Sequence, residues 1–340
     1  MNVLHLPYGI GISTMARALR AQGVSASSAS FKSTNVYNYL AHIRLNLDQY
    51  PASKRNEIRK KFLEEAIQKY DLFHFHFGET FFPDKSDVKI LAAMGKKMIV
   101  EHRGSEVRML SIARNFNNPF VRVKRSFPEQ TIRYNLKLLS SYIDYAVVPD
   151  HELLPYIEPY YKKTYVVPRA IDASGFTPQY PSPDPNPLIV HAPSRRELKG
   201  TEYVLSAIER LQKDGFQFQF KLIENLPHEE ALQLYQNSAI VIDQLLIGAY
   251  ANLSMEAMAM GKPVLCYIRD DLFGKYPPGL PIVSANPDTI YDALKNLLSR
   301  PDTWQKLGME GRRYVEQHHS MDKAASALLN VYNEIVGKKV

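Results

Sequence analysis

Five short segments of this 340-residue chain place side chains at spacings that suit chemistry. The most informative is residues 248–264, GAYANLSMEAMAMGKPV. A loop containing Gly248, Tyr250, Ala251 and Asn252 feeds a short helix expected over 253–260, which Gly261 ends and Pro263 leads out of. Such a loop offers backbone N–H groups to a phosphate or a sugar. Gly248, Tyr250, Ala251, Asn252 and Leu253 are therefore candidate binding residues. Glu256 is expected in the first helical turn, where a carboxylate can accept two hydroxyl hydrogen bonds from a ribose. As structure alone it would complement the helix dipole.

The second segment, residues 191–200 (HAPSRRELKG), crowds Ser194, Arg195, Arg196 and Lys199 into a turn between a strand and a helix. A guanidinium and an ammonium there suit a diphosphate, whose charge rises as its bond to a sugar breaks. The third, PYGIGIS at 7–13, follows a strand and opens a helix. Gly9 and Gly11 let a ligand approach the backbone. The full dinucleotide fingerprint is missing, and the strand at 24–31 has no acid to hold an adenosine ribose, which argues against a nicotinamide dehydrogenase. The fourth, DLFHFHFGE at 71–79, sends Phe73, Phe75 and Phe77 to one face and His74 and His76 to the other. A His-x-His pair is a metal-ligand spacing. With no third ligand nearby in sequence, it reads as packed or hydrogen-bonded, and no metal is expected. The fifth, VEHRGSE at 100–106, puts His102 at the carboxyl end of a strand, where an imidazole can meet a sugar hydroxyl or relay a proton.

These segments need elements to hold them. Apolar runs at 3–6, 71–77, 97–102, 145–149 and 164–167 read as buried strands, separated by helical patterns at 13–22 and 55–70. Residues 176–187 hold five prolines in twelve positions and read as a linker or surface crossing. The rhythm then restarts, with strands at 188–192, 217–223, 239–243 and 263–267. Helices are expected at 199–212, 228–236, 253–260, 290–298, 304–317 and 324–336. The expected fold is α/β: two Rossmann-like, doubly wound domains facing across a cleft. Residues 1–172 would form the first, 173–187 a linker, 188–320 the second, and 321–340 a last helix.

Composition bounds the function. Forty-two basic against 35 acidic residues leave a net charge of +7, which favours acidic partners and is too mild to imply nucleic acid. The single Cys266 excludes an intramolecular disulfide. The first residues lack signal-peptide features, and no run has transmembrane length, so a cytoplasmic location is expected. Between 103 and 137 lie Arg103, Arg108, Arg114, Arg122, Lys124, Arg125, Arg133 and Lys137, interleaved with Phe116, Phe120, Val121, Val123 and Phe127. This stretch is read either as a peripheral contact with an anionic membrane or acceptor, or as a solvated helix face.

Together these segments resemble the family of retaining GT-B glycosyltransferases often called family 4. Glu256 to Val264 matches its glutamate followed by Ala-Met-Ala-x-Gly-x-Pro-Val. Residues 194–200 look like its Arg/Lys turn, with Lys199 at the lysine. The turn at Gly9 and Gly11, the strand end at 71–76, the segment 102–106 and the hinge at 167–172 are similar to further family motifs, in the same order. The resemblance implies a nucleotide-diphosphate-sugar donor, a glycan, lipid-linked or protein acceptor, no separate cofactor and a last helix crossing back to the first domain. It also implies site roles. Glu256 would hold the donor ribose. Lys199 and an adjacent arginine would hold the diphosphate, with Gly11 on the phosphate side from the other domain and His102 beside the donor sugar. The catalytic set is then His102, Lys199 and Arg195. The donor-binding set is Gly9, Gly11, Ser194, Arg196, Gly248, Tyr250, Ala251, Asn252, Leu253 and Glu256.

Three positions depart from the pattern. Gly248 stands where the family has a second glutamate, with Asp243 or Asn252 as possible substitutes. Ser194 stands at its arginine, so that Arg195 or Arg196 must serve. Arg103 interrupts its His-Gly pair. The expected activity is sugar transfer, independent of divalent metal because the chain has no Asp-x-Asp, in surface polysaccharide or glycoconjugate synthesis. The rival readings are a nucleotide-sugar epimerase or hydrolase on the same scaffold, and a binding protein that has lost catalysis.

Overall fold

The computed structural model describes residues 1–7, 10–33 and 41–337. The chain forms two compact units. The first comprises Met1–Met109, Arg125–Ala170 and Met321–Val340, and the second Leu110–Lys124 and Ile171–Ser320.

The first unit holds a seven-stranded parallel sheet. Its strands are β1 (Asn2–Leu6), β2 (Ser25–Ser30), β3 (Ile43–Arg44), β4 (Leu72–His76), β5 (Lys97–Glu101), β6 (Tyr145–Val148) and β7 (Lys163–Val166). The order is β3-β2-β1-β4-β5-β6-β7. Both faces are covered, so most strand side chains are buried on either side, with His5, His74, His76, Ser28 and Ser30 as buried polar exceptions. Phe73 and Phe75 point to one face, where they meet Phe81, which also packs on Phe31 and Phe62. Val3, Leu72, Ile99 and Val147 point to the other, beneath the helices Ile10–Ala21 and Met321–Ile335. The last helix buries Ala324, Ala325, Leu328, Val331, Tyr332 and Ile335, a three-and-four spacing that makes one stripe, and so returns to the first unit.

The second unit holds a four-stranded parallel sheet of β8 (Leu188–His191), β9 (Gln219–Leu222), β10 (Ile240–Ile242) and β11 (Val264–Leu265), in the order β11-β10-β8-β9. Ile189, Ile240, Ile242 and Leu265 face the helices Thr201–Lys213 and Ile290–Ser299. Val190, Val241 and Val264 face the helices His228–Gln236, Asn252–Ala259 and Trp304–His318. The strand order reverses at β1, which lies between β2 and β4, and at β8, which lies between β9 and β10, and ligands of such sheets bind past the carboxyl ends of the strands at that point.

Some expected boundaries move. The first helix begins at Ile10, so Gly11 lies inside its first turn instead of in the turn before it. β4 ends at His76. Phe77 takes a left-handed φ of 61° and packs edge-on against Phe127. Residues 110–124, read above as part of the first domain, group with the second unit. Asn118 Nδ2 donates to Leu246 O at 2.8 Å, the Phe120 ring meets Tyr267 edge-on, and Arg269 lies over Phe116. The proline-rich segment is a surface crossing on the second unit: Gln179 N donates to Met260 O at 2.9 Å, and Arg312 Nη1 donates to Phe176 O at 2.9 Å. Among the described residues, no helix is long and apolar enough to cross a membrane.

Candidate functional site

In the second unit the chain leaves β8 and makes one helical turn, Arg196–Lys199, before Gly200 takes φ 79° and starts the next helix at Thr201. A Cβ at Gly200 would lie 3.2 Å from Leu245 and Leu246, so the position needs glycine for both conformation and space. His191 fastens the turn from below. It is fully buried, with Nδ1 2.9 Å from Ile242 O and Nε2 2.9 Å from Thr201 Oγ1, and burial drives its pKa down to about 4.

Arg195 stands before this turn with an extended backbone, and Arg196 and Lys199 lie within it. Arg196 is taken up by both oxygens of Glu224. Arg195 is half-exposed, with Glu197 at 3.8 Å, and is the more available of the two guanidiniums. Ser194 is exposed beside it. Lys199 Nζ donates to Asp243 Oδ1 at 3.0 Å and to Gln244 Oε1 at 2.8 Å. Asp243 is fully buried just past β10. Burial would raise its pKa, but the lysine and the Ser254 hydroxyl outweigh that and hold it below the usual carboxylate range.

Ser254 Oγ donates to Asp243 Oδ2 at 2.7 Å, and Ser254 lies in the first turn of the helix Asn252–Ala259. One buried carboxylate thus ties the lysine to the start of that helix. The first helical bond runs from Met255 N to Ala251 O, leaving the N–H groups of Asn252, Leu253 and Ser254 without an intrahelical acceptor. Glu256 is the fifth residue of this helix, in its second turn and not its first, because the helix opens at Asn252. Its Oε1 is 3.1 Å from His228 Nε2, and this hydrogen bond raises the histidine's pKa. Both side chains are mostly but not fully covered.

The remaining loop residues are placed otherwise than their types suggest. Tyr250 is turned inward, its hydroxyl 2.8 Å from His319 Nε2, so its ring is part of the core. Gly248 has φ 85°, and a Cβ there would lie 2.1 Å from Arg269 Cγ. Arg269 is buried over Phe116 and bonded to Asp271. A glutamate at 248 would need a strained backbone and the displacement of this arginine. Asp243, weighed above as a substitute for that glutamate, is spent on Lys199 and Ser254.

In the first unit, His102 is buried, with Nε2 2.8 Å from Tyr161 Oη and Glu106 3.7 Å from Nδ1. It lies within the core at the strand end and not on its surface. Gly9 lies outside the described residues. A Cβ at Gly11 would lie 2.0 Å from Arg103 Nη2, so the Arg103 guanidinium rests on the first turn of the helix. Its partner is Glu101 Oε1 at 3.0 Å. Of the basic stretch, Arg108 pairs with Glu152, Arg122 with Glu202 and Arg133 with Glu129, while Phe116, Phe120 and Phe127 pack on other side chains.

Asp243, Gln244, His228 and Arg269 were not assigned these roles by sequence. The one local signal was an acid ending the apolar run at 239–243. The other three become visible only when strands and turns converge.

No curated protein is significantly similar to the chain in sequence. Residues 194–330 match the family model described as glycosyl transferase-like. Among solved structures, the chain superposes on sucrose-phosphate synthase from Thermosynechococcus elongatus with a TM-score of 0.65 and 16% identity, over 99% of this chain and 100% of the other. It superposes on Anabaena HepE in complex with UDP-glucose with a TM-score of 0.61 and 11% identity, over 98% and 100%. The UDP-GlcNAc 2-epimerase from Methanocaldococcus jannaschii gives 0.54 and 12%, over 98% and 99%. At these identities the likeness is one of fold. The chain thus has the GT-B glycosyltransferase fold, and its residues 194–330 carry the pattern of the glycosyl transferase-like family.

Proposed function

We propose that this protein is a retaining glycosyltransferase that takes a sugar from a nucleoside-diphosphate donor held by its second unit. The observation that carries the reading is the tie from Lys199 through Asp243 to Ser254, which fixes a cation and the open end of the Glu256 helix to one buried carboxylate. Lys199 and Arg195 hold the diphosphate. The N–H groups opening the Asn252–Ala259 helix complete its hydrogen bonds. Glu256 exchanges His228 for the ribose hydroxyls. In the reaction the bond from the sugar's anomeric carbon to the diphosphate breaks and a bond from the acceptor oxygen forms on the same face. The acceptor's proton passes to the departing diphosphate. Charge grows on the diphosphate during this step, so the two cations act most strongly in the transition state. These cations take the part that a divalent ion plays elsewhere, and turnover is proposed to need no added magnesium or manganese. Surface polysaccharide or glycoconjugate synthesis is the proposed setting.

HepE is seen in complex with UDP-glucose and the epimerase is a UDP-GlcNAc 2-epimerase, so UDP-glucose and UDP-N-acetylglucosamine are the first donors to test. Calorimetric titration should show UDP binding, and UDP release should rise severalfold when an acceptor pool is added. Binding with no acceptor-dependent release would leave only a binding protein. Rapid product formation from donor alone would indicate the epimerase or hydrolase reading.

A further inference from the structure

His5 is the penultimate residue of β1, and its register partner on β4 is His74. Two residues on, His76 pairs in register with Glu101 of β5. All three imidazoles point to the face covered by the last helix, and all are buried. One ring nitrogen from each lies within 4.8 Å of the others. We propose that His5, His74 and His76 form a binding site for a divalent transition-metal ion of the zinc type.

The proton inventory supports this. His74 Nδ1 is 2.6 Å from the Tyr332 hydroxyl, which is 3.3 Å from His5 Nε2. His5 Nδ1 is 3.0 Å from His76 Nε2, and His76 Nδ1 is 2.5 Å from Glu101 Oε2, close but poorly aligned. Three neutral imidazoles and one phenol bring four protons. The chain that uses them runs from His74 through Tyr332 and His5 to His76 and on to Glu101. Among the described residues, it leaves His74 Nε2 as a buried lone pair with no partner. A buried acceptor in that state is costly, and a metal ion is what it can accept.

The outer contacts fit as well. With the metal on His74 Nε2, His5 Nδ1 and His76 Nε2, the His5 proton moves from Nδ1 to Nε2, and the other nitrogen of each ring is held by Tyr332 or Glu101, the arrangement that orients histidine ligands elsewhere. Nitrogens bound at about 2.0–2.1 Å to tetrahedral zinc stand about 3.3 Å apart, close to the 3.0 Å between His5 and His76. An all-imidazole set selects zinc, cobalt, nickel or copper over magnesium or calcium. Sequence pointed to His74 and His76 but lacked His5, which lies 69 residues before His74 and reaches it only through the β1–β4 register. The ion would pin the ends of β1 and β4, with Tyr332 of the last helix bonded to two of its ligands.

The test uses tag-free full-length protein, grown with zinc and separately stripped with a strong chelator. Zinc content, cobalt(II) visible spectra and melting temperature are then measured. One zinc per chain, low-coordinate cobalt bands and a melting temperature several degrees above the stripped protein are expected, with no response to magnesium. His74→Phe should fold, as judged by circular dichroism, and lose roughly hundredfold or more in affinity. Tyr332→Phe keeps all three ligands and should lose about tenfold to hundredfold. The proposal is overturned if wild-type protein takes up no stoichiometric metal by either route. Unchanged uptake in both His74→Phe and Tyr332→Phe would also overturn it, because the ion would then sit elsewhere.

Discussion

Each unit buries a carboxylate against a cation near its switch-point strand. In the first, Glu101 pairs with Arg103. In the second, Asp243 pairs with Lys199. Both acids resist burial in the same way. Desolvation would raise their pKa, but the neighbouring cation overrides it and holds each below the usual range. The surroundings differ. Glu101 also touches His76 and leads into a closed histidine layer, and Arg103 rests on the first helix. Asp243 leads through Ser254 to a helix with open N–H groups, and its lysine sits on a turn beside exposed Ser194 and Arg195. The same ion pair therefore closes one strand edge and leaves the other beside a helix start and exposed polar side chains. The decisive feature is the length of chain between strand and cation: Arg103 follows β5 at once, whereas Lys199 arrives after a turn that ends on a left-handed Gly200.

Asp243→Asn gives the sharpest break in this comparison. It strands a largely buried ammonium, and removing one partner of such a pair costs about 3–5 kcal/mol in buried cases. Lys199 keeps a little exposure, so the lower end is expected in urea unfolding. A loss below about 1 kcal/mol, the range of exposed pairs, would show that the second pair is not a buried one.

Next in size is Lys199→Ala. Loss of a charge-stabilising group typically lowers kcat by about a hundredfold to a thousandfold. The fall should exceed any change in nucleotide affinity, because the diphosphate gains charge only as the sugar leaves. Equal losses in kcat/KM and in binding would demote Lys199 to a ground-state contact.

Glu256→Gln separates ligand contact from helix electrostatics. A hydrogen bond to a charged group contributes about 1.5–3 kcal/mol, so UDP affinity should drop roughly tenfold to hundredfold. Folded protein with unchanged affinity would remove the ribose role.

His228→Gln has the smallest effect. Glu256 raises the histidine's folded pKa, so the pair stabilises below the unfolded value of about 6.5 and the contribution fades as pH rises through the folded value. The melting-temperature gap to wild type should be widest in mildly acidic buffer and close in alkaline buffer. It should stay under about 1 kcal/mol, because the pair is partly solvated. A gap that widens with pH would mean that His228 acts through some other partner.

The alternation of apolar strands with helical patterns, and the run from Glu256 to Val264, stand in the amino-acid order itself. Periodicity and end signals act over a few residues, so two Rossmann-like units and a turn before a short helix were readable there. The face of each histidine on β4 was readable for the same reason. Tertiary structure decided which distant side chains meet. Strand register set His5 beside His74. The order of the second sheet set Asp243 beside Lys199. The fold of a later loop set Arg269 into the space over Gly248. Each is a convergence of side chains far apart in sequence, and burial then gives each contact its strength. No local pattern carries that information, because the energy of a buried charge or imidazole depends on what is packed against it.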